Sequence, residues 1–496
     1  MKIFLALSAT ALACAGAASA QIGRTFDWHT AGGDAQRSNW EKSDTKFTKE
    51  GVKDFKLILK HKLEGAHKGS GYLTPPIVLG TLISYRGFKE LAFVANEAGD
   101  VWALDVDLDK VFWHRHVDLP KSKAKPGCPG GVTSQPTMEP GAVFGVRRRR
   151  PATGGAGAGA APSQESVFRK IFAPRTVFLL GSDGKLYRLD TSTGKDMNPP
   201  FQMLPTGANA SNLNAAEGEI YTTAANNCGG APNGVWAADL SGEQPKVASF
   251  TSQDGIVGRG GAVLGDEGQV YVQTAGSLQV LSAKELKPEQ AFSAALAETS
   301  PLVFTHKDRE FVVTAAKDSS LYLLDAKSVA TPLYRTPPVA ANAEHGLWGG
   351  LSTWEGSDGT RWVLAAVLGA VHSGLKAPQE NGEAPNGSIV AFKLTEADGK
   401  LSLTPAWTSR DLSTPQAPVI ANGVVFALSA GQYKHKGKPS GHATLYGLDG
   451  ETGKEIYSGD EATAPANLTG LTMANGRVFF TTTDSTLYGF GYHLEH

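Results

Sequence analysis

Leu186-Tyr187-Arg188-Leu189-Asp190 alternates along its length, ends on an aspartate and runs directly into the polar turn Thr191-Ser192-Thr193-Gly194-Lys195. Alternation bounded by turn residues marks a half-buried strand entering a hairpin. The pattern recurs at Val101 to Asp105, Val235 to Asp239, Leu278 to Ser282, Leu321 to Asp325, Ile389 to Lys393, Leu445 to Asp449 and Leu487 to Phe490. Equivalent positions are spaced 85, 49, 43, 43, 68, 56 and 42 residues apart. The short steps match the ~40–45 residues of one four-stranded propeller blade, and the long ones read as blades carrying loop insertions. Eight copies predict an all-β fold, a single eight-bladed β-propeller.

Each unit divides into strands A to D. In the fifth, Pro301 to Phe304 reads as A, Glu310 to Thr314 as B, Leu321 to Asp325 as C and Pro332 to Arg335 as D. The eighth unit stops soon after its C strand, whereas Leu57 to Leu63 alternates like a D strand with no A, B or C of its own. That N-terminal strand is expected to complete the last blade and close the ring, which leaves no open seam between the termini. The implied organisation is a signal peptide at 1–20, a lead-in segment at 21–55 and the propeller at 56–496, with a low-complexity insertion at 141–166.

The chain of 496 residues is 41% hydrophobic, enough for a sizeable core, and its 58 glycines exceed the usual share of roughly 7%. Lys and Arg number 47 against 48 Asp and Glu, so no overall field favours nucleic acid or anionic lipid. The insertion holds Arg147 to Arg150, but its Gly/Ala-rich composition reads as a solvated loop without the aromatics that nucleic-acid binding uses. Lys2, the apolar run Ile3 to Ala13 and Ala18-Ser19-Ala20 read as an export signal cleaved near Ala20, placing the mature protein in the periplasm or outside the cell. No later run is long and apolar enough to span a membrane, and the ring is expected to be monomeric. Export leaves Cys128 and Cys228, which read either as a disulfide or as two separate thiols.

Near the mature start stand Asp27-Trp28-His29-Thr30 and Gly32-Gly33-Asp34-Ala35-Gln36-Arg37, and Leu-Asp…Thr-Gly-Lys hairpins recur at Asp190 to Lys195 and Asp449 to Lys454. With Trp113 and Trp407 on D strands, these features resemble the quinoprotein-like β-propellers built from pyrroloquinoline quinone (PQQ) repeats. Tyr457, Phe201 and His61 stand near the tryptophan position in other blades. The resemblance covers most of the mature chain and also takes in the scaffold propellers of outer-membrane protein assembly. It implies the propeller fold and, in its dehydrogenases, PQQ with Ca²⁺, a vicinal cysteine pair and a catalytic aspartate in a Trp-Asp motif. This chain has neither a Cys-Cys nor a Trp-Asp dipeptide. Its Asp105-x-Asp107-x-Asp109 run falls in a hairpin and lacks the glycine and later glutamate of a Ca²⁺ loop.

Strand direction alternates within a blade, so D–A and B–C loops share one face. That face receives the long segments at 66–72, 118–132, 252–260, 337–346, 226–233, 371–386 and 429–441, and loops on a rigid scaffold are where binding resides. Arg259, His345 and Trp348 introduce inner strands beside glycines, where Arg259 would pair with an anionic group and Trp348 would stack on a flat ring; packing between blades is the alternative. Asn227, in Asn226-Asn227-Cys228-Gly229-Gly230, is a further funnel candidate. His67, His372, His435 and His442 lie on or beside the same loops as metal candidates, without H-x-x-x-H or C-x-x-C spacing. The reading is an exported propeller that binds a protein or small ligand through this face, with an atypical PQQ-dependent dehydrogenase of alcohols or sugars as the alternative.

Overall fold

The alternating segments pair as eight separate sheets, each blade hydrogen-bonded in the order A–B–C–D. The computed structural model describes residues 27–65, 72–84, 87–120, 127–128, 130–132, 134–140, 175–258, 260–342, 346–432 and 441–492. Residues 1–20, expected to be an export signal, the segment at 141–166, His67, Arg259, His345 and His435 lie outside the described residues. The A strands of blades 1 to 8 are Ile77–Ser84, Thr137–Met138, Asn214–Ala216, Val263–Leu264, Leu302–His306, Leu347–Glu355, Val419–Ala421 and Thr472–Ala474. Blade 1 continues through B at Gly87–Ala95, C at Asp100–Asp105 and D at Lys110–His116. No α-helix occurs among the described residues, and two short 3-10 turns at Gly51–Asp54 and Cys228–Gly230 are the helical elements found there.

Ring closure follows the sequence reading. Lys56–Lys62 pairs antiparallel with Thr486–Gly491, the C strand of blade 8, with Leu57 opposite Phe490 and Lys60 opposite Tyr488. The N-terminal strand is thus the D strand of the last blade, and the sheet itself joins the two ends of the chain. A strand on a sheet edge needs protection from foreign pairing, and three lysines on this outermost strand, Lys56, Lys60 and Lys62, stand exposed.

Apolar faces of neighbouring blades meet in layers. Phe93, Ala103 and Trp113 of blade 1 pack with Val177, Leu179 and Leu189 of blade 2. The D-strand tryptophans set the spacing. Trp113 donates its Nε1–H to the Thr191 carbonyl at 2.9 Å, and Trp407 to that of Gly450 at 3.0 Å. In each case a glycine of the next blade's C–D hairpin lies beneath the indole; a Cβ on Gly194 would stand 2.7 Å from Trp113, and Gly194 itself holds a φ of 69°. At the seam between blades 8 and 1 a polar contact takes over this role, His61 meeting Asp109 at 2.7 Å.

Two segments depart from simple blade geometry. The B–C loop of blade 6 does not stay on the loop face: Gln379–Glu380 runs out to the rim and pairs in parallel with Trp407 and Thr408 of strand D, Lys400–Thr408. At the other extreme Trp40–Glu41 pairs in parallel with the innermost strand of blade 7.

Candidate functional site

The D–A and B–C face is organised around one covalent bond. Cys128, in the loop from blade 1 to blade 2, is joined to Cys228, in the B–C loop of blade 3, with a Cα–Cα distance of 5.6 Å. The link spans blade 2. Beside it the Gly127 carbonyl accepts hydrogen bonds from Asn226 Nδ2 at 2.8 Å and Asn209 Nδ2 at 3.3 Å. Asn226 and Asn227 both adopt left-handed backbone, φ 62° and 47°, conformations that asparagine tolerates better than most residues. Asn227 is exposed, and its functional groups close its own loop: its N–H donates to Asn233 Oδ1 at 3.0 Å while its Oδ1 accepts from the Asn233 N–H at 3.3 Å.

Of the remaining candidates, Trp348, His372 and His442 fall on described backbone. Trp348 lies in strand A of blade 6, where the register against strand B shifts between Leu347 and Leu351, but its side chain is outside what is described. Such a bulge re-aims side chains next to binding sites. His372 accepts the Gly374 N–H at 3.1 Å and so shapes its own turn. His442 Nε2 stands 2.6 Å from Asp460 Oδ1, and the Thr444 hydroxyl together with His442 holds that carboxyl below the usual range. Among the described residues no three His, Cys, Asp or Glu side chains converge where they would hold a metal ion.

Sequence reading passed over one polar cluster. Asp100, fully buried, places Oδ1 3.0 Å from both His114 Nε2 and His116 Nδ1, and accepts from Asn96 Nδ2 at 3.2 Å through Oδ2. His114 also stacks on Trp102, with ring centroids 5.2 Å apart. The available signal was His114-Arg115-His116 itself, because alternate residues of a strand share a face; the carboxylate that unites them comes from the neighbouring strand. One carboxylate oxygen serves as the common acceptor, so the cluster fastens strands C and D beside the root of the Cys128 loop.

Around the axis, buried uncharged side chains stitch one inner strand to the next. Gln135 Nε2 and Thr472 Oγ1 both donate to the Pro76 carbonyl, at 3.0 and 2.6 Å, Ser352 Oγ donates to that of Pro418 at 2.6 Å, and Gln416 Nε2 to that of Asn467 at 3.1 Å. The acidic run of blade 1 is fully paired with bases. Asp105 meets Lys89 at 2.5 Å, Asp107 meets Arg477 at 2.5 Å and Asp109 meets His61. It lies in a C–D hairpin, on the face opposite the loops. A cavity of about 430 Å³ opens elsewhere, at the outer seam of blades 2 and 3 against Met203, Leu204, Pro205 and Trp236.

No family model and no curated protein matches the chain. Solved structures do. The quinohemoprotein alcohol dehydrogenase from Comamonas testosteroni is 13% identical, with 96% of this chain and 82% of that one covered at a TM-score of 0.58. A europium-containing methanol dehydrogenase is 11% identical, covering 94% and 89% at 0.56. BamB from Moraxella catarrhalis is 12% identical, covering 89% and 99% at 0.50. Identity this low speaks to architecture alone: the chain shares with these structures the β-propeller fold, here with eight four-stranded blades and a ring closed by an N-terminal strand.

Proposed function

We propose that the protein is an exported binding propeller, engaging a protein or small ligand through its D–A and B–C loop face, rather than a quinone-dependent oxidoreductase. The observation that carries this reading is where the reactive groups are engaged. Cys128 and Cys228 bond to each other across 100 residues of chain, and the carboxylates of Asp105, Asp107 and Asp109 are each paired with a basic side chain. PQQ with Ca²⁺, which the fold family implies, needs a set of oxygen ligands converging on the metal, and no such group of acidic side chains meets among the described residues. What the face does offer is a rigid platform with one disulfide-tethered pair of loops, the arrangement in which recognition is carried by loops on a scaffold.

A second reading, an atypical PQQ-dependent dehydrogenase, draws support from the likeness to two dehydrogenases and would rely on Arg259, His345, Trp348 and Asn227. Dye-linked oxidation of a panel of alcohols and sugars, after incubation with PQQ and Ca²⁺, separates the two. The binding reading expects no turnover above the protein-free control. Saturable turnover would establish the second.

A further inference from the structure

The innermost strand of each blade pairs with strand B on one side only, leaving backbone groups on its other edge that must find partners. Residues 27–47 supply partners to several of them. Val78 of blade 1 donates to the Trp28 carbonyl at 2.9 Å, Met138 of blade 2 to that of His29 at 2.8 Å, Leu264 of blade 4 to that of Ala35 at 2.9 Å, Thr353 of blade 6 to that of Ser38 at 3.0 Å, and Ile420 of blade 7 to that of Asn39 at 2.8 Å. Blade 3 is reached through the Leu213 carbonyl, which accepts from Thr30 Oγ1 at 2.8 Å and from Arg37 at 3.1 Å. Blade 8 is reached through the Gly476 N–H, which donates to Asp44 at 2.5 Å. Seven of the eight blades are thus held by one short stretch of chain.

Its place along the axis is set by turn contacts. Gln36 Nε2 donates to Asp266 at 3.2 Å, Asn422 Nδ2 to the Phe47 carbonyl at 2.7 Å and Lys46 Nζ to the Asn475 carbonyl at 3.3 Å, and all three blade residues belong to A–B turns. Left-handed backbone at Gly32, Gly33, Arg37 and Asn39, with φ between 56° and 85°, turns the stretch from blade to blade. The Arg37 guanidinium, 5% exposed, pins the resulting bend by donating to Thr30 Oγ1 at 3.1 Å and the Ala31 carbonyl at 2.6 Å.

We propose that residues 27–47 form an axial clasp: one cooperative unit that docks along the inner edges, locks the blades from within and, when docked, closes the A–B end of the central channel. The loop-bearing mouth is then the way in. The clasp continues into the strand that completes blade 8, so locking of the axis and closure of the ring belong to one segment. This inference does not depend on which ligand the loop face takes.

Native-state hydrogen exchange on the full chain, in denaturant below the unfolding transition, tests it. The amides of Val78, Met138, Leu264, Thr353 and Ile420, scattered over five blades, are expected to open with one shared denaturant dependence, distinct from C-strand amides such as Val280 and Leu323. In a Thr30→Val, Arg37→Met double variant those five should exchange at least ten-fold faster together, with the C-strand amides unchanged. Should each of the five follow the C strand of its own blade in the wild-type protein, or stay unchanged in a folded double variant, the clasp is wrong. The wild-type profile decides the matter alone if the double variant does not fold.

Discussion

At the scale of single residues, position in the ring explains side chains that composition leaves anonymous. Trp407 is fully buried against the hairpin of the next blade, and Trp407→Ala removes both that packing and the bond to the Gly450 carbonyl. Loss of about 3–5 kcal/mol is expected, read as a lower denaturation midpoint, with Trp407→Phe recovering most of it. His29 and Glu41 give opposite pH signatures. Burial pushes the His29 imidazole down to about 4 from its ordinary 6.5. The unfolded chain then takes up a proton that the folded one refuses, so stability falls as pH drops from 6.5 toward 4, by up to ~3 kcal/mol. Burial raises Glu41 to about 7 from 4.5, against bonds from Ser43 that lower it. Its proton is retained in the folded state, so stability is lost as pH rises from 4.5 through 7, by up to ~3 kcal/mol. His29→Gln should flatten the acid limb of a stability–pH curve, and Glu41→Gln should stabilise the protein at pH 8; reversed effects would refute these environments.

At the scale of elements, alternation and turn residues were enough to find the blades, because strands whose side chains alternate between two faces carry that period in sequence. The closing strand was readable for the same reason. The outward course of the blade 6 loop was not, since Gln379–Glu380 is placed by two ladder positions and by Asn381, whose Nδ2 donates to the carbonyls of Thr408 and Thr452 at 2.8 and 2.9 Å. Nor was the role of residues 27–47, which rests on backbone bonds to strands as much as 381 residues away, as from Ile420 to Asn39. Asp100, His114 and His116 escaped notice because their meeting depends on the pairing of strand C with strand D rather than on a spacing within one segment. The tethered loops carry their own prediction. Replacing Cys128 and Cys228 together by serine frees a 100-residue loop in the unfolded chain, and the expected loss is at most about 4–5 kcal/mol. A reductant should lower the midpoint of the wild-type protein and leave that of the double variant alone; equal midpoints without reductant would show that the bond adds nothing to stability.

At the scale of the molecule, a ring closed by pairing of Lys56–Lys62 with Thr486–Gly491 carries a loop face on which Cys128 and Cys228 are bonded to each other. The near-neutral charge of the chain provides no long-range field to steer a charged partner. Leu59→Asp, in the strand that completes blade 8, should open the ring seam and abolish folding of the full chain, because Leu59 is 1% exposed and packs into the core shared by blades 7, 8 and 1; a folded variant with an unchanged midpoint would contradict N-terminal closure. The central functional claim, binding without a quinone, is tested most directly by calorimetric titration of PQQ into the purified protein with Ca²⁺ present. No saturable heat is expected, and one-to-one binding that disappears in Arg259→Met would overturn the binding reading.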